Sequence, residues 1–102
     1  MKHSRFLIAA VVAAASLAAH AQSADPLTVR SWAASCSNCH GTNGVAQSGM
    51  ESLAGGNKDD MYKKLIDFKT GKKPATVMHQ LSKGYSDQQL EAITAYFASQ
   101  KK

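Results

Sequence analysis

The sequence predicts an all-α domain of about four helices. Three observations carry that expectation. Apolar residues recur at three- and four-residue spacing in separate segments. Capping residues and glycine stops bracket those segments. The strict alternation expected of half-buried strands is missing from residues 22–102.

The chain has 102 residues, and the first part is not expected to belong to the folded domain. "MKHSR" is a short basic stretch, and "FLIAAVVAAASLAA" is an apolar run short for a bilayer span. "AHA" then places small residues where a signal peptidase cuts. Residues 1–21 are therefore expected to be a cleaved secretory signal, and residues 22–102 one exported domain. No stable membrane span is expected after cleavage, and the expected location is the periplasm. Loss of Lys2 and Arg5 lowers the formal net charge from +5 to +3.

A first helix is predicted from Pro26, which suits the first helical position, toward Cys39. Val29, Trp32, Ala33 and Cys36 share its apolar side. Glycines 41, 44, 49, 55 and 56 mark residues 41–57 as a loop. Asn57 is placed to cap a second helix, "KDDMYKKLIDFKT", with Asp59 and Asp60 in its first turn and Gly71 as its stop. Pro74 is expected to open a short third helix ending at Gly84. Ser86 with Gln89 forms a capping-box pattern for the last helix, where Leu90, Ile93 and Phe97 line one stripe.

A domain this small usually needs a staple: a disulfide, a metal or a cofactor. "SCSNCHGTNG" suggests which. Cys36, Cys39 and His40 form C-x-x-C-H, the attachment sequence for c-type haem. One helical turn brings two thiols to one porphyrin edge for thioether bonds, and the histidine that follows can ligate the iron. Haem then becomes the missing core. Three other chemistries compete. A thiol–disulfide redox pair usually sits at a helix start in a βαβ setting. Zinc needs four ligands, or three plus water, and residues 22–102 offer Cys36, Cys39, His40 and His79. A structural C-x-x-C disulfide closes too short a loop to restrain much chain entropy.

The sixth iron position has four candidates: Met50, Met61, Met78 and His79. Met50 follows the motif closely. Met61 sits in a first helical turn, where methionine is often core filler. Met78 follows His40 by 38 residues, enough chain to cross the haem edge and return on the distal side. It is favoured, with His79 its main rival. A Met/His pair would raise the reduction potential.

These residues resemble the small bacterial class I c-type cytochromes. The likeness covers "CSNCHGTNG", "SLAGG", "YKKLIDFKTGKK" and "MHQLSKGYSDQQLEAITAYFAS", in the family's order and spacing. The last stretch is most similar to the haem domain of the cytochrome subunits of flavocytochrome c sulfide dehydrogenases. The resemblance implies a cytochrome c-like fold wrapped around one covalently attached haem c. It implies that Cys36 and Cys39 hold the haem, that His40 is the proximal iron ligand and that Met78 is the distal one. It also implies that Trp32 packs near Tyr96 and Phe97. Where relatives often place a proline whose carbonyl accepts the proximal histidine's N–H, this chain has Glu51, whose carbonyl could serve. Thr28 stands where many relatives have a glycine, and Lys72 and Lys73 where they often have an arginine.

Lys58, Lys63, Lys64, Lys69, Lys72, Lys73 and Lys83 gather in the middle third. They read as a solvated face, with pairs such as Asp59–Lys63 and Asp60–Lys64, and as a positive collar for an acidic redox partner. Nucleic acid is not an expected partner of an exported, modestly basic domain. The expected function is single-electron carriage without catalytic residues of its own. The favoured version is a haem subunit taking electrons from a sulfide-oxidising flavoprotein. The alternative is a free shuttle between periplasmic donors and a terminal oxidase or other acceptor. A weaker alternative, haem catalysis or sensing, requires an open sixth position.

Overall fold

The computed structural model describes residues 24–102; the expected signal segment lies outside the described residues. Four α-helices follow one another: α1 Pro26–His40, α2 Lys58–Thr70, α3 Met78–Lys83 and α4 Asp87–Ala98. A single 3₁₀ turn, Thr42–Gly44, follows α1, and no strand occurs among the described residues.

Local chemistry explains most of the boundaries. The Asp25 carboxylate accepts hydrogen bonds from the backbone N–H groups of Leu27 and Thr28, and Pro26 stands at the first position of α1. Asn57 caps α2 by accepting from Asp60 N–H. Gly71 stops α2 in the left-handed conformation, with φ of 80°. Ser86 and Gln89 complete the reciprocal capping box of α4.

The start of α3 differs from the expectation. The helix begins at Met78, four residues after Pro74. Its first carbonyl acceptor is that of Val77, bonded by the N–H groups of Gln80 and Leu81. Residues 74–77 instead run in irregular conformation along the wall of a cavity. No side chain caps α3, so nothing local favours an earlier start, and Thr76 and Val77 are β-branched.

The core sits where α4 crosses α1. Ala33, Ile93 and Phe97 form its buried centre, with Trp32, Leu53, Met61, Tyr85 and Tyr96 packed around them. Trp32 thus packs against the cluster that contains Phe97, as the family resemblance implied, and Tyr96 borders the same cluster. The Tyr96 and Phe97 rings meet edge to face at 5.2 Å and 75°. Leu90, Ile93 and Phe97 are each at most 2 % exposed, so the predicted stripe is the buried one. Small Ala33, 1 % exposed, lets the two helices approach closely. Burying side chains such as Phe97 and Leu90 is worth about 1.5–3 kcal/mol each. By contrast, α2 has no fully buried residue despite its apolar Met61, Leu65 and Phe68.

The surface pairs also differ from those expected. Lys63 bonds Asp67 at 2.7 Å, one turn toward the C-terminus, and Lys64 bonds Glu51 in the preceding loop. Asp59 and Asp60 stay at the positive end of the α2 dipole. Lys58 pairs with Glu91 and Lys69 with Asp87, which fastens α2 to α4.

Candidate haem site

The apolar side of α2 does not face another helix alone; it faces a cavity of about 540 Å³. That volume falls within the range of about 300–1,000 Å³ usual for cofactor sites. One wall is the end of α1, with Ser35, Cys36, Cys39 and His40. Met50, Glu51 and Leu53 continue it from the loop. Leu65 and Phe68 of α2 form another wall. Pro74 to Met78, with Leu81, close a third side, and Ile93, Thr94 and Phe97 of α4 form the floor.

The cavity therefore gathers all four residues singled out from the sequence: Cys36, Cys39, His40 and Met78. Cys36 is half-buried and Cys39 exposed, and neither is in a disulfide. Both lie in the last turn and a half of α1, away from the helix N-terminus that would favour a thiolate. Burial pushes the Cys36 thiol up from its ordinary value, against a smaller opposing effect of Ser35. That is the reverse of what a nucleophilic redox thiol requires. Among the described residues no three His, Cys, Asp or Glu side chains converge as a metal-binding group. The zinc alternative thus finds no ligand set there.

The histidine is held in one orientation. Its Nδ1 lies 2.6 Å from the backbone carbonyl oxygen of Glu51. A carbonyl can only accept, so Nδ1 carries the proton and Nε2 keeps the lone pair needed for a metal bond. The loop that presents this carbonyl is folded tightly. Gly41 follows His40 with φ of 86°, and an added Cβ there would collide with the Val45 carbonyl. Leu53 and Ala54 both donate their N–H groups to the carbonyl of Gly44. Tyr96 Oη donates to Asn43 Oδ1 at 2.7 Å, tying the turn to α4.

Of the four candidate ligands, Met50, Met61 and Met78 all line the cavity. Met50 is next in sequence to Glu51, whose carbonyl meets His40. The Met61 sulfur packs against Gly56, close enough that an added Cβ there would sit 3.1 Å away. His79 is not among the cavity residues. Its Nδ1 is buried without a hydrogen-bond partner among the described residues. Met78 lines the cavity from α3, the side supplied by residues far from the motif in sequence.

An apolar body suits this space. Val77, Leu81 and Met50 are 59 %, 41 % and 46 % exposed, yet all three line the cavity. Large apolar side chains converging on one hollow need an apolar partner to leave water. The sequence had pointed to the motif and to Met78, but not to Leu65, Phe68, Val77 and Leu81 as walls. The spacing of Met61, Leu65 and Phe68 at four and three residues carries that signal for α2.

Comparison with known proteins agrees with this geometry. The Cytochrome c family pattern matches residues 29–101. The chain is 38 % identical over 68 residues to a cytochrome subunit of sulfide dehydrogenase from Chlorobaculum tepidum, covering 67 % of this chain and 62 % of that one. It is 41 % identical over 70 residues to cytochrome c4 from Pseudomonas aeruginosa, covering 68 % of this chain and 35 % of the relative. It is 32 % identical over 92 residues to a thiosulfate dehydrogenase electron acceptor from Stutzerimonas stutzeri, covering 82 % and 43 %. Each match spans less than two thirds of the relative's own length. The all-helical fold, the C-x-x-C-H end of α1 and the apolar cavity beside it suit one covalently attached haem c, and the chain belongs to the cytochrome c family of electron carriers.

Proposed function

We propose that this chain is an exported monohaem cytochrome that accepts single electrons from a sulfide-oxidising flavoprotein dehydrogenase. In this reading Cys36 and Cys39 would anchor the haem, and His40 Nε2 and the Met78 sulfur would supply its two protein ligands to iron. What supports the ligand assignment is the cavity that Met78 shares with Cys36, Cys39 and His40 and that His79 does not line; Met50 and Met61 line it too, but follow the motif more closely in sequence. When bound, haem c supplies a one-electron couple, with iron passing between its ferric and ferrous states.

The chain's own residues tune that couple. The Glu51 carbonyl fixes the His40 ring and raises its basicity as a ligand. The soft Met78 thioether raises the potential. The apolar walls from α2, α3 and α4 exclude water, which disfavours the more highly charged ferric state. With His40 and Met78 both holding the iron, no substrate would need to reach it. The chain is then a carrier, and substrate chemistry belongs to its partner.

Export is supported by the order of basic, apolar and small-residue segments in residues 1–21. A sulfide-oxidising partner is supported by the likeness to the Chlorobaculum tepidum cytochrome subunit. The second reading, a dissociable acceptor serving another dehydrogenase, is favoured by the likeness to the thiosulfate dehydrogenase electron acceptor. Gentle purification of the tagged protein from its own host separates the two. Haem absorbance with a co-purifying flavin supports the subunit. Haem absorbance alone, with reversible reduction by an added dehydrogenase, supports the shuttle.

The docking face is narrower than the lysine count implies. Lys58, Lys63, Lys64 and Lys69 are each occupied by a carboxylate. Lys72, Lys73 and Lys83 form no ion pair among the described residues. Lys73 stands at the cavity, its ammonium 5.5 Å from the Phe68 ring centroid. The partner's complementary surface is therefore expected to place acidic groups opposite Lys72 and Lys73.

A further inference from the structure

Glu51 makes two contacts of different kinds. Its backbone carbonyl accepts the His40 Nδ1–H bond at 2.6 Å. Its carboxylate meets Lys64 Nζ through both oxygens, each at 3.0 Å. Lys64 stands on α2, a 13-residue helix capped at both ends. Glu51 itself lies in irregular chain between Gly49 and the turn at Ala54. One residue thus joins the imidazole of α1 to a rigid point on α2, and both Glu51 and Lys64 border the cavity.

We propose that the Glu51–Lys64 ion pair is a positioning clamp, holding the Glu51 carbonyl in line with His40 Nδ1 and so fixing the histidine's orientation and donor strength. The proposal rests on His40 as the iron ligand. A hydrogen bond prefers an angle above about 150° and weakens steeply below about 120°, so a Glu51 peptide free to rotate by some tens of degrees would slacken the imidazole. Ring orientation and ligand basicity are set by this kind of outer contact. The Lys64 and Glu51 side chains are 38 % and 59 % exposed. The clamp therefore contributes little to overall stability and acts mainly on the carbonyl it steadies.

Charge alone and positioning make different predictions. If the pair acted only through its field at iron, Glu51→Gln and Lys64→Gln would move the reduction potential in opposite directions and leave the His40 hydrogen bond alone. A clamp is broken equally from either end. The test is the solvent-exchange rate of His40 Nδ1–H, read by NMR in the reduced, haem-loaded protein. Both single variants should exchange about two- to five-fold faster, the range an exposed pair can supply. The charge-swapped double variant, Glu51→Lys with Lys64→Glu, should restore the slow rate. Raising salt to about 1 M, where the Debye length is about 3 Å, should accelerate exchange in the wild type but not in Glu51→Gln. An unaccelerated rate in either single variant, or no restoration in the swap, overturns the clamp. Wild-type His40 ring protons that lack any haem-induced shift would instead overturn His40 ligation itself.

Discussion

The Tyr85 hydroxyl lies 2.6 Å from Ser35 Oγ and 3.3 Å from the carbonyl oxygen of Trp32. This contact joins the turn between α3 and α4 to the face of α1 just before Cys36. Lys69 Nζ adds a bond of 2.7 Å to the Tyr85 carbonyl and one of 2.8 Å to Asp87. The turn after the Met78 helix is thus held to both α1 and α2. Tyr85→Phe removes the hydroxyl while keeping the ring in the core. It should cost about 1 kcal/mol and lower the melting temperature by about 4–8 °C. Thermal unfolding of the haem-loaded protein checks this, and an unchanged midpoint would mean the contact contributes nothing net.

Gly44 is buried at φ of 81°, and a Cβ there would meet Ala54 N and Phe97 Cδ1, each at 2.8 Å. Backbone strain and overpacking then add, so Gly44→Ala should destabilise by about 2–4 kcal/mol. Gly49 provides the contrast. Its φ is 92°, but an added Cβ meets nothing within 4 Å. Gly49→Ala should cost only the conformational strain, about 1–2 kcal/mol. Chemical denaturation of the two variants side by side gives the difference.

Asp67 titrates below the ordinary carboxylate value of 3.8, chiefly because it accepts a hydrogen bond from Lys63. A depressed folded-state value stabilises the protein above the unfolded value. That contribution is lost as pH falls through the ordinary value and then the depressed one. Asp67→Asn should therefore lower stability near neutral pH and flatten the acid limb of the melting curve below about pH 4. An acid limb with the wild-type slope would show that Asp67 is not among the groups that shape it.

Lys73 lines the cavity, Lys72 precedes it in the chain, and neither forms an ion pair among the described residues. Replacing both by Glu should slow electron transfer from an acidic partner about tenfold or more at low salt. The difference should shrink as salt screens the encounter. The same reversal at Lys63, which Asp67 already neutralises, should matter less. Stopped-flow reduction across a salt series measures both.

Local chemistry made much of this fold legible in the sequence. Asn57 and Gly71 bound α2, Ser86 and Gln89 open α4, and the spacing of Leu90, Ile93 and Phe97 names its buried face. Each depends on residues within a few positions of one another. Pro74 points to too early a start for α3: no side chain caps that helix, and residues 74–77 run along the cavity wall. Lys64 offered Asp60 as a partner one turn away, yet it bonds Glu51 across 13 positions. The Ser35–Tyr85 contact spans 50 positions and leaves no local trace. At the site, C-x-x-C-H marks its own chemistry, while Met78 is favoured by its distance from His40 along the chain and by the family resemblance. The apolar walls escaped notice because α2, read by itself, looks like an ordinary amphipathic helix.

The central claim is that Met78, with His40, would ligate the haem iron. The most direct test compares the ferric spectrum and reduction potential of Met78→Ala with those of the wild type. Loss of the thioether should give a spectrum with high-spin character and a markedly lower potential, while His79→Ala should leave both close to wild type. A Met78→Ala protein with the wild-type spectrum and potential would contradict the claim and send the search for the sixth ligand back to Met50, Met61 and His79.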